Sequence, residues 1–200
     1  MKIKSSLLAL MLAMPLSAAQ PRSLSLFFGA GQNPSNFHGH SAFRTLTFDM
    51  TFDVSRLARL SEHRHLSFLR DAEAGAALSY QQIHQPRSWF GHTYGDPDDA
   101  VRGESLVFYV RKHWRASSSV RPFIDLGTGP MWANRRVPAA TSRFNFDSQL
   151  GVGVTLFAGS RWPVMAGYRF SHISNGGFTG RNPGLDVHGV FIGTTLRRWR

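Results

Sequence analysis

The fold is decided by the alternation in Arg143-Phe-Asn-Phe-Asp-Ser-Gln-Leu-Gly-Val-Gly-Val-Thr-Leu-Phe157. Even-numbered positions such as Phe146 and Val154 carry apolar side chains, and odd-numbered positions such as Asp147 carry small or polar ones. Successive side chains of a β-strand point to opposite faces, so this stretch has one apolar and one polar face. Soluble strands are usually shorter, whereas a tilted strand that crosses a bilayer needs about 9–11 residues. The stretch therefore predicts a membrane-spanning strand.

Eight segments of the chain alternate in this way. They lie at about 23–31, 42–54, 65–83, 104–116, 121–133, 143–157, 161–174 and 186–198, and the third is the least regular. The links that follow the odd-numbered segments are longer and richer in Gly, Pro and Asn than those near 117–120 and 158–160. This is typical of an outer-membrane barrel with both termini in the periplasm. We predict an all-β fold, an eight-stranded antiparallel transmembrane β-barrel, with a β-sandwich that has one wet face as the alternative.

The amino-terminal residues predict export. Lys2 and Lys4 precede an apolar run over 7–12, and Ser17-Ala18-Ala19 follows it, which is the pattern of a secretory signal peptide at residues 1–19. Residues 20–200 would then form the barrel. There are no cysteines, which excludes disulfides and thiol chemistry. The formal charge of +11 indicates an anionic partner, such as lipid head groups or lipopolysaccharide, and export argues against nucleic acid.

Two residues with catalytic potential end the seventh predicted strand. His172 and Ser174 are two positions apart, so their side chains share a face. An imidazole can take the proton of a serine hydroxyl, and a carboxylate that orients the imidazole completes a triad. Asp186, at the start of the eighth strand, is the candidate carboxylate. All three belong to the apolar register, which a membrane barrel turns outwards to lipid.

The turn between these strands offers candidate hydrogen-bond donors. The side chain of Asn175 or the amides of the glycine turn, among them that of Gly177, could donate to an oxyanion. The alternative is a loop in which Asn, Gly and Pro serve turn geometry alone. Two His-x-His pairs, at 38–40 and 63–65, have no third ligand at a spacing typical of metal sites, so no metal is expected.

The motif His172-Ile-Ser174-Asn175, followed by a turn and Asp186, resembles that of the lipid A 3-O-deacylase family (PagL-type) of outer-membrane enzymes. The likeness extends loosely over about residues 100–198. It implies an eight-stranded barrel with a lipid-facing Ser–His–acid triad that hydrolyses the acyl ester at position 3 of lipid A without a cofactor. It also implies that His172 is the base, Ser174 the nucleophile and Asn175 the oxyanion-stabilising residue, and that Asn182 shapes the loop. The acidic residue of this motif is usually glutamate, which is one methylene longer than Asp186.

The resulting hypothesis is an outer-membrane serine esterase that acts on lipid A of lipopolysaccharide. Arginines in the predicted outer links are candidates for binding the phosphates of lipid A: Arg87, Arg102, Arg135, Arg136 and Arg181. The alternatives are a non-catalytic small barrel used for adhesion or membrane integrity, and an outer-membrane phospholipase. Whether two copies associate as a homodimer is left open by the sequence.

Overall fold

A computed structural model describes residues 20–33, 41–52, 72–85, 88–89, 92–93, 100–114, 119–139 and 141–199. The strands are β1 (Pro21–Gln32), β2 (Ala42–Phe52), β3 (Ala72–His84), β4 (Ser88–Trp89), β5 (His92–Thr93), β6 (Ala100–His113), β7 (Val120–Ala133), β8 (Phe144–Leu156), β9 (Val164–Ser174) and β10 (Leu185–Arg198). In these ranges no helix is long and apolar enough to cross a bilayer.

The eight long strands form one closed sheet. Each is antiparallel to the next long strand along the chain, β10 pairs with β1 to close the barrel, and β4 pairs only with β5. The predicted eight-stranded antiparallel barrel is confirmed, and the β-sandwich alternative is wrong because the sheet has no open edge.

Several predicted strand bounds need correction or lie outside the described residues. β6 ends at His113 and not at 116, and the predicted end of β2 at 54 lies outside the described residues. β6 begins at Ala100 and not at 104, because the alternation already starts in the predicted link, where Val101 is buried. β9 begins at Val164 and not at 161, directly after Pro163, which has no N–H to donate to a neighbouring strand. β3 is described from Ala72, so the predicted start at 65 lies outside the described residues.

The two faces of the barrel wall follow the predicted register. Even-numbered Phe48 and Leu150 are exposed, whereas odd-numbered Asp49 and Asp147 are buried inside the barrel. An exposed face of this composition is the face that meets lipid in an outer-membrane barrel.

The odd-numbered register predicts a charge network inside the barrel, made of Asp49, Asp53, Asp71, Glu73, Asp125 and Asp147 with Arg111, Arg121 and Arg169. The described interior contains such a network. Arg111 donates to Asp125 over 2.9 Å and lies 3.5 Å from Asp49, and Arg169 lies 3.7 Å from Asp125. Tyr109 also donates to Asp49 over 2.7 Å. Buried charges are tolerated when they are paired in this way, so the polar side chains of the interior are explained by the fold itself. Asp53 and Asp71, which were expected in the same network, lie outside the described residues.

Links 134–143 and 175–184 lie at one end of the barrel, because β7 and β9 both run towards it. We call this the long-link end. Link 157–163 lies at the opposite end. The outward faces of β9 and β10 next to the long-link end therefore carry the predicted catalytic residues.

Candidate active site

The pairing of β9 with β10 places Asp186 directly opposite His172. The Nδ1–H of His172 donates to Oδ1 of Asp186 over 2.6 Å. A carboxylate can only accept, so this bond assigns the proton of the neutral imidazole to Nδ1 and leaves the lone pair on Nε2. The side chains are 43% and 55% exposed and point out of the barrel wall. The chain therefore presents an oriented base on the face that meets lipid.

Ser174 ends β9 on the same outward face. Its partner across the β8–β9 ladder is Phe146, and its own strand neighbour on this face is His172. Within the described part of the chain, the hydroxyl of Ser174 has no hydrogen-bond partner. The structure thus brings the base and the acid into contact and leaves the serine beside them. Catalytic hydrogen bonds are often long in the free enzyme and shorten only when substrate binds.

Gly184 covers the edge of the imidazole that carries Nε2. A Cβ atom at this position would lie 2.7 Å from Cε1 and 3.3 Å from Nε2 of His172, and the backbone φ of +71° also favours glycine. The backbone of Gly184 therefore packs directly against the ring. The sequence motif does not identify Gly184 as part of the site, although Asn182-Pro183-Gly184 is typical of a turn.

The loop between β9 and β10 is built around the buried side chain of Asn175, which is 1% exposed. Its Nδ2 donates to the carbonyl of Arg181 over 2.8 Å and to the hydroxyl of Thr179. Its Oδ1 accepts from the amide of Gly177 over 2.9 Å, and its backbone N–H donates to Oδ1 of Asn182 over 3.0 Å. The three predicted supporting residues, Asn175, Gly177 and Asn182, are thus brought together.

These bonds determine which hydrogen-bond donors of the loop remain available to a substrate. Both N–H groups of the Asn175 side chain are used inside the loop, so the side chain expected to stabilise an oxyanion is engaged elsewhere. The amide of Phe178 donates to the carbonyl of Asn175. Of the four described amides from 175 to 178, that of Gly176 alone has no acceptor. Asn175 therefore holds the turn, and the amide of Gly176 stays free at its start.

A second outward polar contact lies farther from the long-link end. The hydroxyl of Tyr168 is hydrogen-bonded to Nδ1 of His188, and the His188 ring lies 5.2 Å from that of Phe170. His188 lies two residues after Asp186 and shares its face, which predicts either a hydrogen bond near the site or a position at an interface. The bond to Tyr168 is the contact that the structure shows.

The predicted phosphate-binding arginines are exposed at the long-link end where they are described. The amide of Arg102 donates to Oδ1 of Asn134 over 2.8 Å, which brings Arg102 next to Arg135 and Arg136. Arg181 lies in the loop that follows Ser174. Arg87 and both His-x-His pairs lie outside the described residues. Among the residues that are described, no group of His, Cys, Asp and Glu could hold a metal ion.

Comparison with known proteins agrees with this architecture. No curated protein sequence matches the chain. The solved structure described as the outer membrane enzyme PagL is 16% identical, with 84% of this chain and 97% of that chain covered and a TM-score of 0.55. The solved structure of Neisserial surface protein A is 11% identical, with 86% and 92% covered and a TM-score of 0.55. At these identities the two structures support the fold alone.

A family match identifies the chain more closely. The family described as lipid A 3-O-deacylase (PagL) matches residues 45–195, which include β2 to β10 almost completely and all of the His172–Asp186 region. Lipid A deacylation is the activity that this match supports, and the outer membrane is the location that it indicates. The chain belongs to the lipid A 3-O-deacylase (PagL) family of outer-membrane β-barrel enzymes.

Proposed function

We propose that the protein is a serine esterase that hydrolyses the 3-O-linked acyl chain of lipid A, with Ser174 as nucleophile, His172 as base and Asp186 as the residue that orients the base. The observation that carries this proposal is the 2.6 Å bond between His172 and Asp186 on the lipid-facing wall. Ionisable side chains on such a surface are costly and usually mark function. A catalytic role gives a reason for their position.

The reaction follows from the protonation of this pair. Nε2 of His172 takes the proton of Ser174 as Oγ attacks the carbonyl carbon of the ester. The bond from that carbon to the sugar oxygen then breaks, and the protonated imidazole returns the proton to the departing sugar hydroxyl. A water molecule, deprotonated by the same Nε2, hydrolyses the acyl-enzyme and releases the fatty acid. The carboxylate of Asp186 stabilises the imidazolium in both steps.

The oxyanion of each tetrahedral intermediate needs hydrogen-bond donors. We assign the amide of Gly176 to this role, since it is the one amide among residues 175–178, directly after Ser174, that has no acceptor within the described residues. Asn175, Gly177 and Asn182 act through it, because their mutual bonds fix the turn.

Substrate recognition is proposed to involve the arginines of the long-link end. With this end facing the cell exterior, Arg102, Arg135 and Arg136 would lie at the level of the lipid A phosphates, and Arg181 would lie beside the nucleophile. A guanidinium forms paired, charge-assisted bonds with a phosphate. Such contacts favour lipid A over a phospholipid, which offers less negative charge per molecule.

The test is a comparison of purified variants that release fatty acid from lipid A in micelles. Ser174→Ala should lose activity by several orders of magnitude, because the acyl-enzyme can no longer form. Ser171→Ala, on the same strand but facing the barrel interior, is the matched control and should retain activity. Heat-modifiable gel mobility establishes that each barrel is folded. Turnover by a folded Ser174→Ala protein at the wild-type rate would exclude this nucleophile, and equal turnover of phospholipids would exclude the substrate assignment.

A further inference from the structure

Two hydroxyl groups extend the catalytic pair sideways along the outer wall of the barrel. Thr128 on β7 pairs with Ser148 on β8, Ser148 pairs with His172 on β9, and His172 pairs with Asp186 on β10. The two hydroxyl oxygens of Thr128 and Ser148 are 2.8 Å apart. Four polar side chains therefore form one row across four strands, on the face that meets lipid.

The neighbouring row shows that hydroxyl groups are not general on this surface. Two residues farther from the long-link end, β7, β8 and β9 carry Leu126, Leu150 and Phe170, and β10 carries His188, which is bonded to Tyr168. Polar side chains in contact with lipid are expensive and usually mark function. Thr128 and Ser148 are the two polar residues in the outward register of β7 and β8, and they lie directly beside the His172–Asp186 pair.

The chemistry of the pair leaves one proton available. Each hydroxyl has one proton, and the bond between Thr128 and Ser148 uses one of the two. When Thr128 donates to Ser148, the O–H of Ser148 is free to donate to a third group. The direction of this bond is not fixed by the two oxygens alone, but a substrate oxygen near Ser148 would select it.

Ser148 is positioned to donate a hydrogen bond to the oxygen on the carbon that Ser174 attacks. Ser148 lies opposite His172 and diagonal to Ser174, and diagonal residues of an antiparallel pair are about 7–8 Å apart. When Oγ of Ser174 is bonded to the tetrahedral carbon, the oxyanion on that carbon can accept an O–H···O bond of about 2.7 Å from Ser148 across this gap. The side chain of Asn175, in the loop beyond Ser174, is already engaged by two acceptors within that loop.

We propose that Ser148 donates a hydrogen bond to the oxyanion formed at the scissile ester, and that Thr128 is a positioning residue that holds Ser148 for this role. The inference rests on the proposed function, since it takes Ser174 as the group that attacks. It assigns the oxyanion site two donors on opposite sides of the nucleophile: the amide of Gly176 from the loop and the hydroxyl of Ser148 from the neighbouring strand.

The experiment measures kcat and KM on lipid A micelles for variants of the pair. Loss of one oxyanion donor typically lowers kcat by about 10²–10³-fold, so Ser148→Ala should show this loss with little change in KM. Thr128→Val should lower kcat less, and Thr128→Ser, which keeps the hydroxyl, should restore it. Thr194→Val, which removes an outward hydroxyl near the opposite end of β10, is the matched control.

A purely structural pair gives a different pattern. Replacing both hydroxyls by apolar groups is then nearly neutral, so the double variant Ser148→Ala, Thr128→Val would keep the wild-type kcat. That result would overturn the inference. Ser148→Thr, which keeps a hydroxyl, serves as the second variant if Ser148→Ala does not give a heat-modifiable barrel, and it should retain most of the activity; a folded Ser148→Thr protein as inactive as Ser174→Ala would count against the donor role.

Labelling by a fluorophosphonate probe separates this inference from the proposed function. Ser148→Ala should still be labelled at Ser174, but more slowly, because phosphonylation of the serine also develops charge on the oxygen. If Ser174→Ala is inactive and unlabelled while Ser148→Ala matches the wild type, the inference fails and the proposed function stands. If Ser174→Ala remains active and the label is found on Ser148, both assignments fail, because Ser148 is then the nucleophile.

Discussion

Substituting Gly184 by alanine tests whether the position of the His172 ring governs the reaction. The added Cβ would lie 2.7 Å from Cε1 of His172. Carbon atoms in contact are about 3.5–4.0 Å apart, so the ring would have to move by roughly 1 Å. The ring is held at Nδ1 by Asp186, so such a shift turns Nε2 away from the position that the proposed proton transfer from Ser174 requires.

The effect of such a displacement on the reaction rate is known to an order of magnitude. A misplacement of about 1 Å in a catalytic group costs about 10²-fold, so Gly184→Ala should lower kcat by about that factor. KM should change little, because Gly184 lies over the base and not at the arginines of the long-link end. The backbone φ of +71° adds a separate cost of about 1 kcal/mol in stability, because an L-residue is disfavoured in the left-handed region.

The assay compares kcat for fatty acid release with the midpoint of thermal unfolding. Gly180→Ala, in the same loop, is the control, because a Cβ there meets nothing within 4 Å and its φ is not in the left-handed region. Its kcat should equal that of the wild type. A folded Gly184→Ala protein with wild-type kcat would refute the reasoning, since the ring could then be moved without consequence or could avoid the contact.

Three further predictions concern the acid, the substrate and the membrane register. Asp186→Asn should lower activity steeply without unfolding the barrel, because an amide can favour the wrong imidazole tautomer, whereas Asp186→Glu should keep substantial activity. If Asp186→Asn is as active as the wild type, Ser174 and His172 act as a dyad without Asp186. The double variant Arg135→Ala, Arg136→Ala should raise the apparent KM for bisphosphorylated lipid A but not for a neutral ester, and equal losses on both would indicate a role in folding. Leu150→Arg, at the middle of β8, should lower the free energy of unfolding in lipid by about 2–4 kcal/mol, and Val154→Arg, nearer the strand end, should lower it less. The reverse order would contradict the membrane depth assigned to these two positions.

The barrel could be predicted from the sequence because its signal is local. Each strand such as β8 shows its own alternation, and Phe146 and Asp147 are therefore assigned to opposite faces without knowledge of any neighbour. Bounds were less accurate where polar residues interrupt the pattern, as in β6, whose first residues were assigned to a link. The pairing of β4 with β5 was not foreseen, because each has two residues and no periodicity.

The contact between His172 and Asp186 could also be predicted, but its surroundings could not. His172 and Asp186 flank one turn, so a hairpin brings them together for almost any loop geometry. Ser148 reaches the same row only through the register of β8 against β9, and register depends on contacts between segments that are far apart in sequence. The same limit applies to the loop. The composition of the loop does not specify its fold. The inward position of the Asn175 side chain and its bond to the backbone could therefore not be predicted.

The signal peptide at residues 1–19, the phosphate-binding role of Arg87 and a homodimer stay predictions, since the first two concern residues outside the described ranges and the third requires a second chain. Mass spectrometry of the mature protein would give the cleavage site directly, with Gln20 expected as its first residue.

The central claim, that Ser174 removes an acyl chain from position 3 of lipid A, is tested most directly by mass spectrometry of lipid A from cells that express the protein. Cells with the wild-type protein should contain lipid A that lacks one ester-linked acyl chain, and fragmentation should assign the loss to position 3. Cells with Ser174→Ala, at equal abundance in the outer membrane, should contain lipid A with all its acyl chains. Lipid A that is unchanged by the wild-type protein, or shortened equally by both proteins, would contradict the account.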